Sequence, residues 1–141
     1  MAEEKKTTTK KTTQSSSKTK KIESIEIIGG KIPPSDLETE EVVLGAILIE
    51  PNALATVIDI LQPEVFYKEA HQRIFAAVLA LYPIGEPIDV ITVTNYLRKS
   101  GEIDFIGGPA YIAQLTDRVI SAANIEYHAR ILIEKYIQRK L

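Results

Sequence analysis

The chain has 141 residues, no cysteine and a formal net charge of −2, with 45% hydrophobic and 26% charged residues. That length allows one domain with a modest core, and the lack of cysteine excludes a disulfide framework and thiolate metal sites. The charge is uneven: residues 1–31 carry +4 and residues 32–141 carry −6, so the larger part suits a basic protein partner better than a phosphate backbone.

Residues 1–21 are rich in Lys, Thr and Ser, with no apolar run that could serve as a signal peptide, and they read as a solvated arm. Residues 22–28 alternate apolar and charged side chains in a strand-like way. With no second strand nearby they join the same disordered tail, 1–31. Composition then changes abruptly at Ile32-Pro33-Pro34. Proline cannot lie inside a helix, and Ser35 followed by Glu38 has capping-box spacing, so a helix is expected from Asp36 onward.

Leu37, Leu44, Ile47 and Leu48 share one face of that helix, and Pro51 stops it. Asn52 opens a second helix with Leu54, Val57, Ile58 and Leu61 on one side, closed by Gln62-Pro63. Residues 64–67 read as a single turn. Residues 68–82 form the clearest helix, because Ile74, Phe75, Val78, Leu81 and Tyr82 follow the spacing of a buried stripe. Pro83 ends it, and residues 85–87 make a loop.

Residues 89–99 send mixed signals. Val90, Ile91, Thr92, Val93 and Thr94 favour a strand, yet Asp89 is a good N-cap and Gly101 a good C-terminal stop. Val90, Val93 and Leu97 share a helical face, so a helix is expected. Gly107-Gly108-Pro109 reads as a loop, with Pro109 pre-set for the first turn of a helix over 110–118. A last helix starts near 121–124. It carries Ile125, Ala129, Leu132 and Tyr136 at coiled-coil-like spacing, widened by Ile133 and Ile137. It reaches Leu141 without a Gly, Asn or Pro to end it, so a longer parent is expected to continue beyond this chain.

The fold class is therefore all-α, a compact domain of six to seven helices over 32–141. No apolar run is long enough to span a bilayer. Gly29-Gly30-Lys31 lacks the other residues of a nucleotide-binding loop. Gly107-Gly108 precedes a helix, where an anion can bind, but no strand or lysine adjoins it. His71 and His128 lack metal-ligand spacing and read as structural or solvent-facing. Glu38, Glu40 and Glu41 lie in the first turns of a helix, where they offset its dipole. No catalytic, metal or cofactor site is expected, and the acidic first helix is a candidate docking face for a basic partner. Tyr111 is a candidate interface residue, and the last helix a candidate partner surface. A rival reading is a nucleic-acid-binding module acting through the basic tail.

The ordered set IPPSDLETEEVVLGAIL, EVFY, HQRIF, GEPIDVITV, GGPAYI and SAANIEY resembles the N-terminal domain of the bacterial replicative DNA helicase family, DnaB. The resemblance covers 32–141. It implies an all-helical collar on a hexameric ring, acting in the cytoplasm at the replication fork. Partners implied are the C-terminal domain of primase, further copies of the chain (a dimer, then a trimer of dimers) and a helicase loader. DNA, ATP and Mg would be handled mainly by a motor domain absent from this sequence, so this chain alone is not expected to be an enzyme. By position, Glu38 and Tyr111 match the primase-docking surface. The helix carrying Ile125, Ala129, Leu132, Ile133, Tyr136 and Ile137 matches the first arm of an oligomerising hairpin. The chain departs from the family in stopping before the second arm and in its longer Lys/Thr-rich tail.

Overall fold

A computed structural model describes residues 33–141. Six helices follow one another: α1 Leu37–Ile49, α2 Ala53–Val57, α3 Glu69–Leu81, α4 Val90–Lys99, α5 Gly108–Asp117 and α6 Ile125–Lys140. Two 3-10 turns, Pro63–Val65 and Tyr82–Ile84, follow α2 and α3 respectively. The expected all-α class holds, with no strand among the described residues. The tail assigned to 1–31, its strand-like run at 22–28 and the rival nucleic-acid reading built on it lie outside the described residues.

α1 is the centre of the domain. Residues 43–48 are all buried, because the helix is contacted by α5, α6, α3 and α2 in turn. A helix enclosed by neighbours buries more than one stripe, so Val43, Gly45 and Ala46 join the expected Leu44, Ile47 and Leu48. Leu37 does not join them. It stands at the first helical position, before the axis enters the core, and is 41% exposed.

The start of α1 also differs from the Ser35–Glu38 pairing. The N-cap is Asp36, whose Oδ1 accepts from the Thr39 amide at 3.0 Å. An aspartate three residues before a free amide supplies a charged acceptor and displaces the neighbouring serine. Glu38 is left exposed.

α2 is shorter than its apolar pattern. After Val57 the bonds tighten, with the Ile60 amide donating to the Val57 carbonyl, and Pro63 holds Gln62 extended, as the residue before a proline prefers. Leu61 is nonetheless buried. α3 ends at Leu81, so Tyr82 falls in the following 3-10 turn and is 44% exposed instead of completing the buried stripe. Its remaining stripe holds, and Phe75 meets Phe66 at a ring-centroid distance of 5.2 Å.

α4 forms despite its β-branched start. Asp89 Oδ1 accepts from the Thr92 amide at 2.9 Å, and Thr92 Oγ1 accepts from the Asp89 amide at 3.0 Å, a complete capping box. Gly101 ends the helix at φ +80, and the Glu102 amide reaches back to the Leu97 carbonyl at 2.8 Å. The 3.6-residue burial of Val93 and Leu97 outweighs strand propensity here.

α5 begins at Gly108, inside the expected loop, with Gly107 at φ +111 before it. It crosses α1 at Gly45 with no room for a side chain. A methyl group there would overlap the Leu115 carbonyl oxygen and stand 2.5 Å from Val119 Cγ2. α6 packs on α1 and α2 through Ile125, Ala129 and Leu132. Near its end Arg139 donates to the Pro34 and Val65 carbonyls at 2.8 Å each, which ties the last helix to the entry of α1.

Candidate functional site

Where α1, α3 and α5 meet, six polar side chains form one network. Glu40 and His71 are its buried half, 1% and 0% exposed. The Glu40 carboxylate does not offset the dipole of its own helix from solvent, as its place in the sequence suggests. It turns inward and accepts from the Tyr67 amide at 2.6 Å and the Lys68 amide at 3.4 Å. Those amides lead into α3, whose N-cap Lys68 offers no capping side chain. A carboxylate from α1 thus caps α3 and neutralises the positive end of its dipole.

The other Glu40 oxygen contact is to His71. Its Nδ1 lies 2.7 Å from Glu40 Oε1, and its Nε2 lies 2.6 Å from the Tyr111 hydroxyl. A carboxylate can only accept, so Nδ1–H donates to it; in the neutral ring Nε2 then accepts from the hydroxyl. The His71 and Tyr111 rings run nearly parallel, 11° apart. Lys68 Nζ completes the group, donating to the Tyr111 oxygen at 3.3 Å and sitting 4.7 Å from the ring centroid.

The exposed half begins at Glu41. Its Oε2 is 3.5 Å from the Tyr111 hydroxyl, and its Oε1 pairs with Arg118 Nε at 3.1 Å. Glu38 stands one helical turn before Glu41, exposed. The structure therefore brings Glu41 of α1 beside Tyr111 of α5, two positions separated by most of the domain's sequence. Glu40 and His71 were missed as members. The signal for them was weak: a histidine on an apolar helix face and one glutamate among three.

Chemically this is a brace. A carboxylate, an imidazole and a hydroxyl stand in series as a hydrogen-bonded relay whose first two members, Glu40 and His71, are closed to solvent. What the relay does is fix the ring and hydroxyl of a half-buried surface tyrosine. Among the described residues, no cluster of three His, Asp or Glu side chains could hold a metal ion, and no helix is long and apolar enough to cross a membrane.

Burial raises the Tyr111 hydroxyl pKa above its ordinary 10.0, with the Lys68 bond and charge pulling it down and Glu41 pushing it up. The folded chain thus keeps this proton to higher pH than the unfolded chain. The resulting stability is complete below the unfolded value and declines as pH rises through the folded one. Urea midpoints between about pH 8 and about pH 11 are expected to fall more steeply for the parent than for Tyr111→Phe. Parallel curves would show that the hydroxyl is not linked to folding.

The residues of the last helix divide. Ile125, Ala129 and Leu132 are buried within the domain, Ile133 and Tyr136 pack half-buried against the same core, and Ile137 is 54% exposed. Arg139 and Lys140 lie over the Tyr136 ring, at 5.7 and 5.2 Å from its centroid. His128, the second histidine, is half-buried and meets Tyr127 edge-on.

With this geometry in place, residues 32–134 match the family described as the DnaB-like helicase N terminal domain. The chain is 48% identical over 112 residues to the replicative DNA helicase DnaB of Rhodothermus marinus, covering 79% of this chain and 12% of that protein. It is 47% identical over 116 residues to the DnaB of Geobacillus stearothermophilus, covering 82% and 26%. It thus spans between 12% and 26% of the length of these curated relatives. Among solved structures, the N-terminal domain of DnaB helicase from Mycobacterium tuberculosis matches with a TM-score of 0.76 and 43% identity, over 78% of this chain and 79% of that one. A structure titled as a DnaB-like replicative helicase and its interactions with primase matches with a TM-score of 0.66 and 27% identity, over 74% and 25%.

Proposed function

Since this chain belongs to the DnaB-like helicase N-terminal domain family, we propose that it is the protein-binding collar of a bacterial replicative DNA helicase. It docks primase and supports assembly of the ring. ATP hydrolysis and the gripping of DNA fall to a motor segment outside this chain, with ATP and Mg bound there, and the whole acts in the bacterial cytoplasm. The observation that carries the docking reading is the acidic α1 face beside a braced Tyr111, on a fold similar to a helicase described with its primase interactions. A ring-stacked tyrosine with a fixed hydroxyl loses little conformational freedom on binding, which favours its use as an anchor. The acidic rim speeds encounter with a basic surface and orients it.

The oligomerising role rests on α6. Its first half is committed to its own domain, and Ile137 and Tyr127 remain on the outer surface, 54% and 67% exposed. These are two separate apolar points, with Arg130 and Glu134 exposed between them, on which a second helix of the same chain can rest.

Docking is tested by titrating the cognate primase C-terminal domain into the chain and its variants. Glu38 makes no intramolecular bond among the described residues, so Glu38→Lys is expected to keep the helical far-UV signal. It should weaken binding about tenfold or more, on the order of 1.4 kcal/mol, with a reduced salt dependence. Tyr111→Phe keeps the ring and separates its contribution from that of the hydroxyl. Unchanged affinity in both variants would remove Glu38 and the Tyr111 hydroxyl from the docking surface.

A further inference from the structure

The opposite end of α1 carries a second feature, about 16 Å along the helix axis from Glu38 by helical rise. Between the end of α1, the start of α2 and the Tyr82–Ile84 turn with its following loop lies a slot of about 320 Å³. Its walls are apolar. Ile49 and Tyr82, each 44% exposed, face solvent on its flanks, and Leu54, Pro87 and Ile88 line the rest. Ile84, 68% exposed, continues the apolar surface beyond it.

The charged side chains that line the slot have one sign. Glu86 and Asp89 line it, and no Lys, Arg or His does. Glu86 is exposed and takes part in no hydrogen bond or ion pair among the described residues. Asp89 spends one oxygen on the α4 cap. The C-terminal end of α1 also opens here, and its last turn has no basic residue to offset the negative end of the dipole. A carboxylate pair, a helix C-terminus and an exposed tyrosine ring thus surround an apolar trough that holds no cation.

We propose that this slot docks a basic amphipathic segment of a partner protein, seating an arginine or lysine between aliphatic neighbours. The alkyl stem of such a residue lies along Ile49 and Pro87 while its charged head stays at the wet rim. There it meets Glu86, Asp89 and the face of the Tyr82 ring, the last as a cation–π contact. Aliphatic residues on either side cover Ile49, Leu54 and Ile84. A nucleic-acid backbone is repelled by the carboxylates, and an uncharged apolar peptide leaves the unpaired charges in place. This surface shares α1 with the primase-docking reading but sits at the other end of that helix from Glu38, and neither depends on the other.

The test uses the whole 141-residue chain, labelled with ¹⁵N, and a short synthetic peptide in which arginine alternates with leucine. Saturable amide shifts confined to residues 47–54 and 82–89 are expected, with affinity that falls as salt rises. Glu86→Lys, a change on an exposed loop, should weaken the peptide about tenfold or more, and Tyr82→Ala should weaken it as well. Replacing the peptide's arginines by glutamate, or its leucines by serine, should each abolish the shifts. The proposal is overturned if the shifts centre on Glu38 and Tyr111, or if Glu86→Lys leaves affinity unchanged. It is equally overturned if the serine peptide binds as well, which would reduce the site to diffuse charge attraction. Light scattering that shows the chain filling the slot with a second copy of itself would replace the proposed occupant.

Discussion

Glu40→Ala is expected to lower the stability of the domain by about 3–5 kcal/mol, because one carboxylate is the acceptor for three donors, each costing about 1–3 kcal/mol when left unsatisfied in the interior. The substitution leaves His71 Nδ1–H without an acceptor at a position closed to solvent, and frees the Tyr67 and Lys68 amides at the start of α3. Each orphaned donor then carries its own desolvation cost. Glu40→Gln retains one carbonyl acceptor and should cost less, about 1–3 kcal/mol. Urea unfolding followed by far-UV circular dichroism reads both. A loss below about 1 kcal/mol for the alanine variant would mean that water enters and replaces the carboxylate. Tyr111 supplies a further readout: once His71 is released, its hydroxyl loses the partner at 2.6 Å, and under the docking proposed above primase affinity should fall even at temperatures where the variant stays folded.

Gly45→Ala should destabilise by about 3 kcal/mol, at the upper end of what overpacking costs. The sign is the informative part. At an ordinary position inside a helix, replacing glycine by alanine stabilises by about 1 kcal/mol through propensity alone. Here the added methyl meets the backbone carbonyl of Leu115, and a carbonyl inside α5 cannot rotate aside as a flexible side chain would. Relief requires α1 and α5 to separate, which also draws Tyr111 away from His71 and Glu41. Thermal unfolding of Gly45→Ala beside Gly45→Ser measures the effect. A rise in midpoint for the alanine variant would show that the two helices cross farther apart than the structure places them.

Much of the fold is written locally. Pro51, Pro83 and Gly101 mark ends because their backbones cannot continue a helix or prefer to leave it, and those effects need no tertiary partner. Asp89 capped α4 as its position promised, against the strand preference of the residues that follow. The errors were also local in origin. Ser35 lost the α1 cap to Asp36, one residue away, because several short polar side chains there compete for the same amides. Leu37 and Tyr82 sat in register with buried stripes, but each lies at a helix end where the stripe runs off the core.

The braced tyrosine was only half visible. Tyr111 stood out through its place after Gly107-Gly108-Pro109 and through the resemblance. The residues that hold it did not. Glu40 and His71 are 31 residues apart, and His71 and Tyr111 are 40 apart, so no spacing rule within a single helix joins them. The apolar–acidic slot was equally silent, since it exists only where the end of one helix meets the loop after another.

The sequence by itself determined the helical class, the order of the elements and most of their ends, because these follow from the 3.6-residue apolar period and from proline, glycine and capping chemistry acting over a few residues. Tertiary structure alone decided that Glu40 faces inward, that His71 is a link rather than a spare imidazole, and that Gly45 admits no side chain. Those outcomes depend on how three helices approach one another, and a buried charge or a bare backbone acquires its meaning only from what the rest of the chain brings against it.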